Sequence, residues 1–329
     1  MAMTVSVVLY KRLGISNTDI ALYTSWLYLP WVIKPFWSPL VELFRTKRYW
    51  ILLMQVLVGA SLACIAFTIP TSRFFQYTLA FFWMMAFSSA THDIAADGFY
   101  MLGLPEDFQA AYVGVRATFY RIAMIATQGG LIIFAGCLEG SGYDIPKAWS
   151  FTFFFAAAVL VALFLYHFFI LPYPTPDRRA VRNPSTPLSR DFLNTFGLFF
   201  KKKGILTILA FFLFYRLAET QLIKIIAPFL LDPRSKGGLG LTTSGVGVIY
   251  GTVGVVALLL GGLLGGYAIY RKGLRFWMWI MVCAVHLPDL VYVYLSQAMP
   301  DSSQLINLCV AVEQFGYGFG FTAYTMFMI

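Results

Sequence analysis

Residues 75–101 read FQYTLAFFWMMAFSSATHDIAADGFYM, a mainly apolar run that nevertheless carries His92, Asp93 and Asp97. The apolar core of a bilayer is roughly 30 Å thick, and about 20 helical residues are enough to cross it. Backbone that is exposed to lipid must form its hydrogen bonds internally, so a crossing segment of this kind is a helix. The run therefore predicts a transmembrane helix that holds ionisable groups at membrane depth.

The remainder of the chain is also apolar. Of its 329 residues, 59% are hydrophobic and only 12% are charged, which lies outside the range of soluble domains. The apolar runs predict ten spans, at about 1–10 (partial), 19–42, 50–69, 75–101, 109–136, 148–171, 204–231, 242–270, 276–298 and 304–329. The fold class expected is an all-α membrane protein with about ten transmembrane helices.

The formal net charge of +9 is spread along the chain rather than concentrated in one patch. Thirteen of the 24 Lys and Arg residues fall in one set of alternate loops, within 45–48, 178–203 and 271–275. Loops rich in Lys and Arg remain on the cytoplasmic side of a membrane. The basic excess therefore indicates a multi-pass topology with these loops in the cytoplasm, and it does not indicate a nucleic-acid partner.

Between residues 172 and 203 the apolar runs stop, and prolines alternate with basic residues. This composition predicts a cytoplasmic linker, 172–203, between two helical halves. The N-terminal half, 1–171, would hold six helices with the first one truncated, and the C-terminal half, 204–329, would hold helices 7–10. Two joined halves related by pseudo-symmetry are the layout of transporters built from repeats.

Charged residues inside spans are costly, so each needs a partner or a water-filled cavity. Asp93 and Asp97 lie four residues apart and share one helix face. Arg116 in the next span lies at about the same depth as Asp93, and Arg121 lies nearer the midplane, so the four predict a ladder of ion pairs. Three interpretations are open: a static network that sets helix register, a proton-coupling network, or a direct substrate site.

Lys34 shares a face of the second span with Trp31 and Ser38, among prolines at positions 30, 35 and 39. Prolines kink a membrane helix, which is tolerated where the helix lines a cavity. The face suits an anionic or sugar-containing ligand. The alternative is that Lys34 pairs with an acid from the other half.

The second half repeats this pattern of charges inside spans. Arg216, Glu219 and Lys224 fall in the seventh span, and Glu313 falls in the tenth. His286 and Asp289, three residues apart in the ninth span, predict either a proton-relaying pair or a structural histidine. His167 has no acidic neighbour in sequence, and we expect it to be structural.

Glycines in the apolar spans predict close helix contacts. Three pairs in the eighth span are spaced four residues apart: Gly247 and Gly251, Gly261 and Gly265, and Gly262 and Gly266. We expect these pairs to pack helices, with sliding of the two halves as a further role. The run Gly316-Tyr-Gly-Phe-Gly320 lies within an apolar span and predicts a helix contact rather than a nucleotide-binding loop.

The chain carries no sequence signature of an enzyme. Zinc-hydrolase, serine-hydrolase and ATP-binding motifs are absent from the sequence, and the four cysteines lack metal-ligand spacing. We therefore expect neither a catalytic activity nor a cofactor. A membrane-embedded transferase is retained as an alternative, as is a membrane-bound sensor without flux.

Several motifs resemble those of the major facilitators. The loops containing Arg45 and Arg271 are similar to the short cytoplasmic loop of that superfamily, with Glu42 and Tyr270 in place of its Asp. The stretch 89–107, the pair Tyr120-Arg121 and the stretch 34–42 resemble the AmpG-type muropeptide permeases and their relatives, including the acetyl-coenzyme A transporters. This chain departs from that pattern at His92, where the family has Gln, and it lacks an Arg after the acids of the loop near residue 107.

The resemblance implies a twelve-helix secondary transporter, of which this chain would lack part of helix 1 and helices 11 and 12. It implies proton-driven import of anhydro-muropeptides across a bacterial inner membrane by alternating access. The expected partners are a small-molecule substrate, protons and lipids, with a monomeric chain; the alternative cargo is another anionic metabolite. The coupling and gating residues expected are Asp93, Asp97, Arg116, Arg121 and Glu42. The cavity residues expected are Trp31, Lys34, His92, Arg216, Glu219, His286, Asp289 and Glu313.

Overall fold

The computed structural model describes residues 2–104, 119–120, 122–173, 201 and 204–328. Within these residues the chain forms helices and no strands. The first six segments are α1 (Ala2–Arg12), a broken α2 (Asn17–Trp26, Leu29–Ile33, a 3-10 turn at Lys34–Phe36, and Ser38–Leu43), α3 (Lys47–Thr68), α4 (Phe74–Gly103), α5 (Ile122–Gly140, with a π-helical turn at Ile125–Gly130) and α6 (Ile145–Ile170).

The remaining segments are α7 (Ile205–Leu231), α8 (Thr243–Lys272, with a π-helical turn at Ile249–Val253), α9 (Leu274–His286 and Leu290–Ala298) and α10 (Ser303–Met328). The described segments match the predicted spans to within several residues. By length and hydropathy, six described helices are able to cross a membrane: α3, α5, α6, α7, α8 and α9. We call α1–α6 the first half and α7–α10 the second half.

The bundle has two ends, which we name by their contacts. Arg48 at the start of α3 donates from Nε to the carbonyl of Leu171 after α6, over 3.1 Å. We call this the linker end. At the other end, which we call the opposite end, α1 finishes and α7 finishes, and Lys11 meets Asp232 there. The helices run alternately between these two ends.

Prolines lie at the breaks of two helices, and a kink was predicted from the sequence for the first of these, α2. Pro30 stands in the first turn of the piece Leu29–Ile33, and further prolines open the pieces at 34–36 and 38–43. Pro288 lies in the gap between the two pieces of α9. Proline supplies no backbone N–H and clashes with the preceding turn, so a helix is interrupted there.

Glycines bring the two halves into close contact through α5 and α8. A Cβ atom at Gly136 would overlap the backbone of Ser244, and one at Gly251 would overlap the carbonyl of Gln128. The π-helical turns of α5 and α8 contact each other at this crossing. The predicted helix-packing role of Gly251 is thus confirmed, and its partner is a helix of the other half.

The same close packing holds the second half together. A Cβ at Gly261 would overlap the carbonyl of Phe315 in α10, and one at Gly318 would overlap the carbonyl of Leu258 in α8. The helix contact predicted for 316–320 is therefore confirmed. Gly266 has no atom of the described residues within 4 Å of its built Cβ, so the close approach predicted there is not found in the described part of the chain.

One buried apolar core joins the two halves. It contains Tyr10 and Trp149 of the first half, and Leu230 and Leu295 of the second. A smaller cluster, Val41, Ile51 and Ala95, lies within the first half near the linker end. The halves are therefore packed together at the opposite end of the bundle.

Candidate functional site

The first half holds an ion pair near the middle of the membrane-spanning segments. Lys34 Nζ lies 2.8 Å from Asp93 Oδ2, joining α2 to α4. Asp93 is ten residues from the end of α4 at Gly103, or about 15 Å along the helix axis. The side chains are 33% and 41% exposed, so the pair borders open space rather than packed protein.

This pairing corrects one prediction and leaves another untested. The alternative that Lys34 pairs with an acid from the other half was wrong, because its partner Asp93 belongs to the same half. The helix break at Lys34–Phe36 lies where the chain approaches α4, and contacts between these elements place Lys34 beside Asp93. Arg116, the predicted partner of Asp93, lies outside the described residues.

The other members of the predicted coupling network are only partly described. Asp97 lies one helical turn from Asp93, is half-buried, and has an interaction partner of its own. Arg121 and the side chain of Glu42 lie outside the described residues. The four-charge ladder therefore stays a prediction.

Polar groups adjoin the pair on the same helices. The indole Nε1 of Trp37 donates to Thr91 Oγ1 over 3.2 Å, which ties α2 to α4 a second time. Trp31 is half-buried, with its ring near that of Tyr28. The predicted aromatic face of α2 is thus present beside Lys34.

His92 of α4 has a buried ring nitrogen, Nε2, without a hydrogen-bond partner among the described residues. His92 also interacts electrostatically with His167 of α6, whose Nδ1 lies 2.7 Å from Gln55 Nε2 of α3. His167, predicted to be structural, therefore joins α6 to α3.

Glu313 is the centre of a buried polar cluster in the second half. Its side chain, on α10, is part of a residue that is 2% exposed. Oε2 accepts a hydrogen bond from the hydroxyl of Tyr292 over 3.2 Å, and both carboxylate oxygens accept from Gln314 Nε2, over 3.2 and 3.0 Å. Glu219 of α7, also 2% exposed, lies close enough to interact electrostatically with Glu313.

This burial differs from the predicted role of these acids. Glu219 and Glu313 were expected to line an open cavity, yet both are enclosed by protein in this conformation. The side chain of Arg216, expected beside them, lies outside the described residues. The two acids are thus buried between helices in this conformation and do not line an open cavity.

His286 and Asp289 flank the break in α9. Asp289 interacts electrostatically with His286, but His286 Nδ1 and Asp289 Oδ1 are both buried without a hydrogen bond to any described residue. The ring of His286 lies 6.5 Å from that of Tyr215 on α7. The predicted pair is therefore close in space without a direct hydrogen bond.

Lys224 on α7 is a cation that the predicted site omitted. It lies seven residues before the end of α7 at Leu231 and is partly exposed. Among the described residues it has no hydrogen bond or ion pair. Thr220 and Gln221, both exposed, accompany it on this segment. Polar side chains at membrane depth face the bundle interior or water, so this part of α7 is a candidate lining of the space between the halves.

A polar clamp at the opposite end joins the two halves. Lys11 Nζ lies 2.5 Å from Asp232 Oδ1, and Asn17 Nδ2 donates to Asp232 Oδ2 over 3.1 Å. Nearby, Thr243 Oγ1 donates to Glu139 Oε2 over 2.7 Å. These contacts join the two halves at this end of the bundle, and we define the clamp as Lys11, Asn17, Glu139, Asp232 and Thr243.

The clamp is held in shape by further contacts. Glu139 also forms an ion pair with Arg12 at 2.9 Å and accepts from the indole of Trp149 over 3.0 Å. Burial acts to raise the pKa of Asp232, but hydrogen bonds from Lys11 and Asn17 and the nearby positive charges outweigh it, so the pKa lies below its usual value. Sequence inspection missed the clamp because its partners lie far apart in the chain.

The sequence pattern of the Major Facilitator Superfamily matches residues 1–329. The chain belongs to this superfamily. The loop motifs that contain Arg45 and Arg271 predicted this superfamily, and the prediction is confirmed.

Among similar proteins, this major facilitator is 26% identical to the protein named AmpG 4 of Rickettsia conorii over 339 residues, covering 96% of this chain and 76% of the relative. It is also 26% identical to the anhydromuropeptide permease of Escherichia coli over 252 residues, covering 74% of this chain and 47% of the permease. The predicted resemblance to AmpG-type transporters is confirmed.

Solved structures show the same fold. A variant of the nucleoside transporter NupG aligns with a TM-score of 0.65 at 16% identity, covering 99% of this chain and 77% of that one. A bacterial homologue of the human lysosomal transporter Spinster, in an inward-facing and occupied conformation, aligns with a TM-score of 0.60 at 16% identity, covering 98% of this chain and 72% of that one. The predicted major-facilitator fold is confirmed.

Proposed function

We propose that this major facilitator is a proton-coupled symporter that imports anhydro-muropeptide-like sugar-peptides by alternating access. The observation that carries the proposal is the Lys34–Asp93 pair, an ion pair of 2.8 Å that is partly exposed near mid-membrane. A charge at this depth needs a partner or water, and Lys34 is the partner that Asp93 has in this conformation. When the helices move and Lys34 withdraws, Asp93 takes up a proton.

The contacts between the halves support alternating access. The clamp closes the opposite end, while the exposed faces of Lys34 and Asp93 border open space. To open at the opposite end, the residues of the clamp must separate, and the halves must move relative to each other about the glycine contact between α5 and α8. The chain would thus alternate between a state with the clamp closed and one with it open.

The orientation and domain limits complete the proposal. We place the linker end in the cytoplasm, because most basic loop residues lie there. The halves are 1–171 and 204–329, joined by the linker 172–203. In a bacterial inner membrane the clamp would then lie on the outer side, and the conformation would be the one open to the cytoplasm.

The cargo is inferred from the site and from the relatives. Lys224 is a cation without a partner among the described residues, and Trp31 and Lys34 add an aromatic and cationic face on α2. Sugars stack on aromatic rings and carboxylates bind cations, so a sugar-peptide with a free carboxylate fits these groups. The similarity to the anhydromuropeptide permease of Escherichia coli points to the same class.

The experiment is uptake of labelled anhydro-muropeptide into proteoliposomes with and without an imposed pH gradient. We expect the chain to accumulate the label only with the gradient, and Asp93→Asn to lower gradient-driven uptake at least tenfold. The matched control is Asp144→Asn, because Asp144 is an exposed acid paired only with its neighbour Lys147 in the described residues. The coupling role of Asp93 would be refuted if uptake were equal with and without the pH gradient, or if Asp93→Asn left gradient-driven uptake unchanged.

Binding without uptake of this label, together with gradient-driven uptake of another anionic metabolite, would assign a different cargo while retaining the mechanism. This alternative has a structural basis, because the side chains of Lys224 and Lys34 could bind any carboxylate or phosphate. Lys224→Gln should then weaken the uptake of the anionic cargo but not the proton dependence.

A further inference from the structure

The buried acid of α10 has an unusual setting for a carboxylate. Glu313 is ten residues from the start of α10 at Ser303, about 15 Å along the helix axis, which is the depth of the membrane midplane. The residue is 2% exposed. No water-exposed face is therefore available to solvate a negative charge in this conformation.

The partners of Glu313 are neutral donors. Tyr292 on α9 donates a hydroxyl hydrogen bond, and the neighbouring Gln314 donates its amide to both oxygens. Within the described residues no Lys, Arg or His forms an ion pair with Glu313. Among the side chains that the structure describes, the carboxyl group thus has no compensating cation of the kind that Asp93 has in the first half.

Among the described side chains, the other titratable groups that face Glu313 are acids or phenols. They come from each packed helix: Glu219 on α7, Tyr250 on α8, and Asp289 and Tyr292 on α9. Asp289 itself lies near His286. Negative charges on these groups oppose a negative charge on Glu313 rather than compensate it.

An isolated ionised carboxylate in apolar surroundings costs far more than a neutral, hydrogen-bonded acid. A neutral Glu313 keeps its hydrogen bonds, because one oxygen still accepts from Gln314 and the acid hydroxyl can donate to the Tyr292 oxygen. We propose that Glu313 is the proton-binding acid of the second half, neutral in this clamp-closed conformation and ionised when helix movement admits water. On release the carboxyl O–H bond breaks and the proton passes to that water.

The inference rests on the proposed function only for the use made of the proton, since the binding of the proton can be measured without any cargo. The first test is infrared spectroscopy of the chain in proteoliposomes, following the C=O stretch of protonated carboxyl groups and its shift in heavy water. We expect a band at neutral pH that Glu313→Gln removes. The controls are Glu219→Gln and Asp289→Asn, which should leave the band in place.

Two further variants keep the test decisive if Glu313→Gln does not fold. Glu313→Asp should retain a protonated-carboxyl band, and Tyr292→Phe should shift the band without removing it, because the hydrogen bond is lost while the acid remains. A band that is absent from the unmodified chain, or that persists in Glu313→Gln, would overturn the assignment. If the band is lost in Glu219→Gln instead, the protonated acid is Glu219, and the assignment to Glu313 is overturned.

The second test separates proton binding from transport. In a chain that transports, Glu313→Gln should abolish gradient-driven accumulation while exchange of labelled for unlabelled cargo across the membrane continues within about twofold. Loss of exchange as well would show a structural or cargo-binding role and would overturn the coupling role. If the unmodified chain transports nothing, the proposed function fails, and the infrared result still decides whether Glu313 binds a proton.

Discussion

Replacing Asp232 with Asn should open the clamp. The substitution keeps the shape of the side chain but removes the charge that Lys11 meets at 2.5 Å. Both side chains are 15% exposed, so the pair lies between a surface ion pair, worth about 0.2–1 kcal/mol, and a buried charged hydrogen bond, worth about 1.5–3 kcal/mol. We expect a loss of about 1–2 kcal/mol from the clamp-closed state.

A change of this size shifts the ratio of closed to open molecules by roughly 5- to 30-fold. The assay is pulsed electron paramagnetic resonance between spin labels on cysteines introduced at Tyr143 of the first half and Gln304 of the second, in a cysteine-free background. Both positions are exposed at the opposite end. The population at the longer distance should grow in Asp232→Asn and in Lys11→Met.

The matched control is Asp301→Asn. Asp301 also forms an ion pair at the opposite end, at 2.6 Å from Arg234, but its side chain is 95% exposed and both partners belong to the second half. We expect no change in the distance distribution. If Asp301→Asn opens the bundle as much as Asp232→Asn does, or if neither Lys11→Met nor Asp232→Asn has an effect, the clamp does not hold the halves together.

Two more predictions follow from the same interface. Because the pKa of Asp232 is lowered in the closed state, its contribution to closure is complete above the ordinary aspartate value of about 4 and is lost as the pH falls through the lowered value. The spin-label distances should therefore be constant from pH 8 to 5 and lengthen below about pH 4, a step that Asp232→Asn should lack. Gly251→Val should impair closure, because a side chain there would overlap the carbonyl of Gln128, whereas Gly266→Val should not, since its built Cβ has nothing within 4 Å. Equal spin-label distributions for the two glycine variants would contradict this account of the crossing.

The positions of the helices and of their breaks could be read from the sequence. A helix that crosses lipid must be apolar over about 20 residues, and this requirement is local. The breaks in α2 and α9 coincide with prolines, which remove a backbone hydrogen bond and clash with the preceding turn, although Pro228 lies inside the continuous helix α7. The depth of Asp93 and Glu313 in the membrane also follows from counting along their helices, because the rise per residue is constant.

The candidate site was predictable only in part. Asp93 and Lys34 were both identified as charges inside spans, but their pairing with each other was not predicted, and the pairing of Asp93 with Arg116 stays a prediction. Two charges at equal depth pair only if their helices are neighbours and present the right faces to each other. The clamp was missed altogether, since Lys11 and Asp232 are more than two hundred positions apart.

The sequence by itself therefore determined that this protein is a helical membrane protein, where its helices lie and bend, and which ionisable groups lie at membrane depth. The tertiary structure alone decided that Lys34 compensates Asp93, that Glu313 is enclosed by neutral donors and acids, and that Lys11 and Asp232 join the halves. The physical reason is that hydropathy and helical rise act along one helix, whereas charge pairing and burial depend on the distance and rotation between helices.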